Sequence, residues 1–356
     1  MKFGKWLAAA AGVLALAACG QQAGNDQGAA QQGGGAGAAG GEVNLYTARH
    51  YDSDLALYDR FTQLTGIRIN RIEGNADQLI ARMTSEGERS PADVFITADA
   101  GALWRAQQAG LFQPVQSQVL GEAVPENLRE PQGHWYGFSR RARIVAYDPE
   151  KVRPEEIDTY EKLAGERFRG KLCVRSADSV YNLSLVGALI EAWGPERAGQ
   201  WAQGIVANMA RAPEGGDRDQ IRAVGAGVCE VALTNSYYYI RMANGEDAND
   251  RQVTSRVLLA FPSLDGQGAH VNISGGGVAR HAPNRDNAQR LLEFFASAEV
   301  QQHIARNNNE FPASPGVQAP PPVDAFANFQ AHPMPVARFA ARQPEAQSLM
   351  SRAGWR

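Results

Sequence analysis

Cysteine is scarce: Cys19, Cys173 and Cys229 are the only three in 356 residues, and no two of them form a CxxC pair. That excludes a disulfide-built mini-fold and the commonest zinc-ligand spacing. Long runs of Lys and Arg are missing too, and with a formal net charge of -3 and a pI near 6.1 the chain is not expected to bind nucleic acid. No GxSxG or HExxH occurs and the six histidines are scattered, so the chain is read as not an enzyme, a secreted metal-dependent hydrolase being the reading set aside. What the chain does have is length and a 44% hydrophobic content, enough for the cores of two ordinary domains.

The N-terminus carries Lys2 and Lys5, then an apolar stretch from Trp6 to Ala18 that is shorter than the about 20 residues a membrane span needs. Residues 1–18 therefore read as an export signal. Its end, Leu16-Ala17-Ala18-Cys19, resembles the bacterial lipobox, which implies cleavage before Cys19 and lipid on its thiol; a plain Ala-x-Ala cleavage is the alternative. Removal of two lysines leaves 33 basic and 38 acidic residues, a net charge of -5. Residues 19–41, nearly all Gly, Ala and Gln after the cysteine, read as a flexible tether with a mean reach of about 25 to 28 Å. Export also places Cys173 and Cys229 where a disulfide persists, and with Cys19 lipidated they are the available pair; two buried free thiols are the competing reading.

From Val43 strands and helices alternate, which points to an α/β sheet with crossover connections. A strand at Val43–Thr47 leads through Arg49-His50-Tyr51 into a helix in which Leu55, Tyr58, Phe61 and Leu64 recur, closed by Gly66. Strands at 67–72 and 93–97, a long strand-like run over 135–147 with three arginines, a polar helical block over 154–170 and a strand at 171–175 follow. A helix with an apolar face begins after the turn at 176–182. Cys229 to Thr234 reads as a buried strand, with Asn235 or Ser236 capping a helix that Gly245 stops. Beyond a strand at 256–260, Ile273-Ser274-Gly275-Gly276-Gly277-Val278 crosses into a helix at 284–295, and the tail from Pro312 is rich in proline.

His50 and Tyr51, Tyr181, and Tyr237 with Tyr238 share one position: each lies where a strand gives way to a helix. Ligands of open α/β sheets bind in the crevice beyond those strand ends, and helix N-termini there favour anions, phenolate included. Ionising a phenol of pKa near 10 at pH 7 costs about 4 kcal/mol, and four cost about 16. Only a strongly Lewis-acidic, oxygen-seeking ion offsets that. Calcium and magnesium use carboxylates and carbonyls, and zinc takes thiolate and imidazole, so these residues, if they converge, point to Fe3+. Four phenolates around a 3+ ion leave one negative charge, which Arg141, Arg143 or Arg49 could neutralise.

The chain resembles the ferric-iron-binding proteins of bacterial iron ABC transporters, especially the cyanobacterial-type branch that binds iron without a synergistic anion. The resemblance spans about Val43 to Val317. It rests on Leu-Tyr-Thr-Ala-Arg-His-Tyr at 45–51, Ser-Pro-Ala-Asp-Val at 90–94, Arg-Ala-Arg at 141–143 and Val-Tyr-Asn-Leu-Ser-Leu at 180–185. It continues through Asn-Ser-Tyr-Tyr at 235–238, His-Val-Asn-Ile-Ser-Gly at 270–275 and Asn-Asn-Glu-Phe-Pro at 308–312. It implies an α/β, two-lobed periplasmic-binding-protein fold with a hinge and an interlobe cleft, the lobes being 42–140 plus 268–318 and 141–267 plus 319–356. By position the metal ligands would be His50, Tyr51, Tyr181, Tyr237 and Tyr238, with Arg141 beside the phenolates and Arg143 and Arg49 behind them. Tyr239 departs from the family, which commonly has an aliphatic residue there; it is assigned to packing, a one-place shift of the pair being the alternative.

The implied function is an exported, lipid-tethered periplasmic solute-binding protein, a monomer, that takes up ferric ion or a ferric chelate and passes it to an inner-membrane ABC permease. A binding protein for an anion or small organic solute, with the tyrosines as aromatic walls, is the rival.

Overall fold

The first parallel layer forms because the connections between its strands are long enough to carry helices. In the computed structural model, which describes residues 40–356, β1 (Gly41–Thr47) pairs in parallel with β2 (Ile67–Glu73) and β3 (Val94–Thr97). The helices α1 (Asp54–Thr65) and α2 (Ala76–Glu86) supply the crossovers. The export signal, Cys19 and nearly all of the tether lie outside the described residues. Among those that are described, no helix is long and apolar enough to cross a membrane.

In α1 the buried face is Leu57, Tyr58 and Phe61, whereas Leu55 and Leu64 are 41% and 53% exposed. The series 55, 58, 61, 64 steps by three residues, about 300° of helix rotation, so it drifts around the axis and its ends leave the face its middle buries. Gly66, at φ 70°, closes the helix in the left-handed conformation and donates its N–H to Thr62 O at 2.8 Å.

The chain continues through α3 (Ala100–Gln108) and α4 (Gln118–Ala123) into the longest strand, β4 (Tyr136–Tyr147). β5 (Leu172–Cys173), α5 (Val180–Trp193), α6 (Pro195–Asn208) and α7 (Asp217–Gly225) precede β6 (Val231–Asn235). Then come α8 (Ser236–Asn244), α9 (Ala248–Thr254) and β7 (Leu258–Ala260). β8 (Val271–Val278), α10 (Arg285–Phe295), α11 (Ala298–Asn308), β9 (Phe311–Pro312), α12 (Val336–Ala340) and α13 (Gln343–Arg352) complete the chain.

The strands run in the order β2-β1-β3-β8-β4-β6-β5, with β7 and β9 also on β4. β4 changes partners along its length: Tyr136 to Ala142 pair with β8, and Arg143 to Tyr147 pair with β6. One strand thus belongs to two sheet regions, and the change falls beside Arg141 and Arg143. Between β8 and the start of β4, glycines permit close approach: a Cβ on Gly275 would meet Tyr136 O at 2.3 Å and one on Gly277 would meet His134 O at 2.2 Å.

Two expectations over 154–175 need correction. Residues 154–170 form three short 3-10 turns and no α-helix. Thr159 bridges to Ser263 between the first turn and the second, and Gly165, extended at ψ 157°, separates the second from the third. The strand expected over 171–175 shortens to Leu172–Cys173, and the proline-rich tail carries α12 and α13, which pack on α5. Cys173 and Cys229 are joined by a disulfide, with Cα atoms 5.9 Å apart.

Candidate metal centre

Four phenols arrive from three chain segments. Tyr51 lies in the loop between β1 and α1, Tyr181 is the second residue of α5, and Tyr237 and Tyr238 sit in the first turn of α8, directly after β6. The hydroxyls of Tyr181 and Tyr237 are 2.9 Å apart. The rings of Tyr237 and Tyr238 lie 4.1 Å apart by their centroids, and Tyr181 meets Tyr238 edge-on at 6.3 Å. Tyr51 comes from the other sheet region and reaches α8, where Arg241 stands 5.8 Å from its ring centroid.

His50 is exposed and lines, together with Tyr181, a cleft of about 540 Å³ walled also by Asn75, Gln78, Thr97 and Asp99. It makes no side-chain hydrogen bond among the described residues, so the structure brings it to the cleft and does not tie it to the phenols. Tyr239 points away, donating its hydroxyl to Val257 O at 2.8 Å and packing edge-on against Phe326. That geometry favours packing over a one-place shift of the pair.

Helix termini supply part of the electrostatics. Asn75 and Asp99 cap α2 and α3 with side-chain bonds of 2.9 Å, but Ser179 and Asn235, at the N-caps of α5 and α8, make no such bond. The first-turn N–H groups of the two tyrosine-bearing helices are therefore not capped by their own N-cap side chains. A helix N-terminus favours a nearby anion by about 0.3–1 kcal/mol, up to about 2 when partly buried. This is less than the about 4 kcal/mol one phenol needs at pH 7.

Burial widens that gap. It pushes the phenols of Tyr51, Tyr181 and Tyr237 well above their usual range. The Glu310 carboxylate adds to it for Tyr51, the Tyr238 phenol for Tyr181, and the surrounding tyrosines for Tyr237, while Arg141 pulls the other way in all three. Without a cation these three oxygens stay protonated at neutral pH.

The arginines expected to neutralise surplus charge are already paired. Arg49 stacks 4.9 Å over the Tyr51 ring, but its guanidinium binds both oxygens of Asp54, at 2.8 and 3.2 Å, and stands 3.5 Å from Glu310. Arg141 donates to Ser274 Oγ at 3.1 Å and to Ala98 O, 3.8 Å from Glu310. Arg143 is paired with Asp217 at 3.2 Å. Burial opposes ionisation of Glu310, but Arg49, Arg141 and hydrogen bonds from Ser139 and Ser274 override it and hold its carboxyl below the usual range.

The sequence reading missed Arg241, which stands 5.8 Å from the Tyr51 centroid and makes no ion pair among the described residues. Its signal was available: it lies four residues after Tyr237, on the same helix face. Asp217 and Glu310 were missed because their partners are chosen by tertiary contact, whereas Asp54 lies within reach of Arg49 along the chain.

Among the described residues no group of three or more His, Cys, Asp or Glu is placed to hold a metal, so a metal here would rest on the phenols. The Tyr181 and Tyr237 hydroxyls already stand at hydrogen-bond distance, 2.9 Å, so one ion could replace the proton they share.

A model of the family described as bacterial extracellular solute-binding protein matches residues 89–331. Iron uptake protein A2 of Synechocystis sp. is 47% identical over 315 residues, covering 88% of this chain and 90% of its own. A Trichodesmium protein (IdiA, FutA), solved in complex with iron and citrate ligands, is similar with a TM-score of 0.85 and 46% identity, over 88% of this chain and 100% of that one. Apo FutA2 from Synechocystis PCC6803 gives a TM-score of 0.84 at 47% identity, over 88% and 99%.

Proposed function

This chain belongs to the bacterial extracellular solute-binding protein family, and from that premise we propose that it captures ferric iron in its cleft and delivers it to an ABC permease of the inner membrane. The observation that carries the reading is the meeting of phenols from separate segments, with the Tyr181 and Tyr237 hydroxyls 2.9 Å apart beside a cleft that His50 also lines. Relatives named for iron uptake support it.

The proposed donors are His50, Tyr51, Tyr181, Tyr237 and Tyr238. Each phenol that binds gives up its proton to solvent, and the hydroxyl pair exchanges its hydrogen bond for two bonds to the ion. Arg141 and Arg241 lie nearby to stabilise the resulting charge. The two lobes, 42–140 plus 268–318 and 141–267 plus 319–356, are joined through β4, which runs from the first into the second, and bending there would open the cleft. Opening, reduction to Fe2+ or reprotonation of the phenolates releases the ion. The body works as a monomer in the periplasm, held to a membrane by lipid on Cys19 after removal of residues 1–18.

Visible absorption after addition of ferric citrate to the apo protein tests this. The expected result is a phenolate-to-iron charge-transfer band that is lost or displaced in Tyr181→Phe and in Tyr237→Phe. A colourless parent, or a band that both substitutions leave unaltered, refutes it.

A further inference from the structure

The Arg143 and Asp217 side chains make no hydrogen bond to the four site phenols, yet between them they fasten the starts of the helices that carry three of those tyrosines. Arg143 lies on β4 opposite Asn235 of β6, with its side chain 1% exposed. Its Nη2 donates to Asn182 Oδ1 at 2.7 Å, and its Nη1 donates to Asn235 Oδ1 at 3.2 Å and to Asp217 Oδ2 at 3.2 Å. Asp217, fully buried at the start of α7, also accepts the backbone N–H of Asn235 at 2.8 Å. Asn182 follows Tyr181 directly, and Asn235 is the N-cap two residues before Tyr237. Asn182 is anchored in turn, donating from Nδ2 to Arg175 O at 3.0 Å and Ser176 O at 2.9 Å.

A single planar fork therefore spans the two helix starts whose tyrosines, 56 residues apart in sequence, bring their hydroxyls to 2.9 Å. Guanidinium suits this task because its N–H directions are fixed in one plane, whereas an ammonium is a point charge without preferred directions. Asn235 illustrates the diversion: it stands at a helix N-cap, where its side chain would ordinarily serve the helix's own N–H groups, and gives its oxygen to Arg143 instead.

We propose that the Arg143–Asp217 pair is a positioning device that sets the separation of the Tyr181 and Tyr237 oxygens, and so the geometry of the ion they hold. The inference rests on the ferric reading above. It assigns to Asp217 a role in that site and gives Arg143 a task different from charge neutralisation. A buried ion pair contributes little net stability, and apolar residues of similar size can replace both members together, so fold and positioning are separable.

The test compares the parent with Arg143→Lys, with the double substitution Arg143→Met/Asp217→Leu, and with Asn182→Ala. The last leaves the ion pair in place and removes its tie to the Tyr181 helix, together with the bonds from Asn182 Nδ2 to Arg175 O and Ser176 O. Near-ultraviolet circular dichroism and thermal melting report the fold, the charge-transfer band reports the phenolate geometry, and competition with citrate reports affinity for ferric ion. Folded variants should show a displaced band and a loss of about 10–100-fold in affinity, the range for residues that orient metal ligands. A folded double variant with the parent's band and affinity overturns the proposal. If neither substitution at Arg143 folds, Asn182→Ala decides: an unchanged band overturns it, a displaced one supports it. A colourless parent sinks the ferric reading and this one with it, which is distinct from a coloured parent matched by its variants.

Discussion

The two walls of the cleft are built differently. On one, Tyr181, Tyr237 and Tyr238 touch one another and share the support of Arg143 and Asp217. On the other, Tyr51 stands without a phenol partner under Arg49, and His50 beside it is exposed. Behind that second wall Arg49, Asp54, Arg141 and Glu310 form a buried set of two cations and two anions. The contrast teaches that three of the proposed donors are assembled before any ion arrives, while the other two come from the loop between β1 and α1, where His50 is exposed.

The largest expected effect concerns both walls. Each of the four proposed phenol donors gives up a proton on binding, burial holding Tyr51, Tyr181 and Tyr237 protonated until then, so affinity should fall by roughly 10⁴ for each pH unit of acidification. Chelator competition across the neutral range, with proton release recorded in weak buffer, measures that slope. Tyr51→Phe and Tyr237→Phe should each lower it by one proton; a slope that Tyr51→Phe leaves untouched would remove Tyr51 from the site. A smaller effect should separate the walls. His50→Ala should reduce ferric affinity by about tenfold, at the low end of the range for supporting residues, and leave the charge-transfer band in place, because the phenol cluster survives. A loss as large as that from Tyr181→Phe would break the asymmetry.

The smallest effect contrasts two histidines. His270 lies at the start of β8, hydrogen-bonded to Ser184 Oγ at 2.7 Å, and burial first, then His332, Arg143 and Arg141, pull it down to about 3. Because its folded pKa lies below the unfolded value near 6.5, the unfolded chain takes up more protons on acidification. Stability should therefore fall, by at most about 1.4 kcal/mol per pH unit, as pH drops below about 6.5. Urea unfolding of the apo protein at neutral and mildly acidic pH checks this: His270→Gln should flatten the dependence, and the exposed His50→Ala should not. Equal flattening by both would show that burial is not the cause.

Local patterns were legible where a helix start or stop is written in adjacent residues. Asn235 before α8 and Gly66 after α1 mark boundaries through their own backbone needs, and the tyrosines could be placed at helix starts for that reason. The 3-10 turns over 154–170 were not legible because the bridge from Thr159 to Ser263 that interrupts them joins residues about a hundred positions apart. Pro344 near the start of α13 was a usable signal, masked by the prolines around it. Arg241 was recoverable from its spacing to Tyr237, but its neighbour Tyr51 was not.

By itself the sequence determined which segments become strands and helices, that phenols stand at three strand-to-helix junctions, and which ion such oxygens would accept, because each follows from side-chain chemistry or near-neighbour spacing. Only the tertiary structure decided that Arg143 is committed to Asp217, that Glu310 lies between Arg49 and Arg141, and that Tyr181 meets Tyr237. Those pairings join residues up to 261 positions apart, and which of many possible partners a buried charge finds depends on where β4 changes sheets, not on anything written beside it.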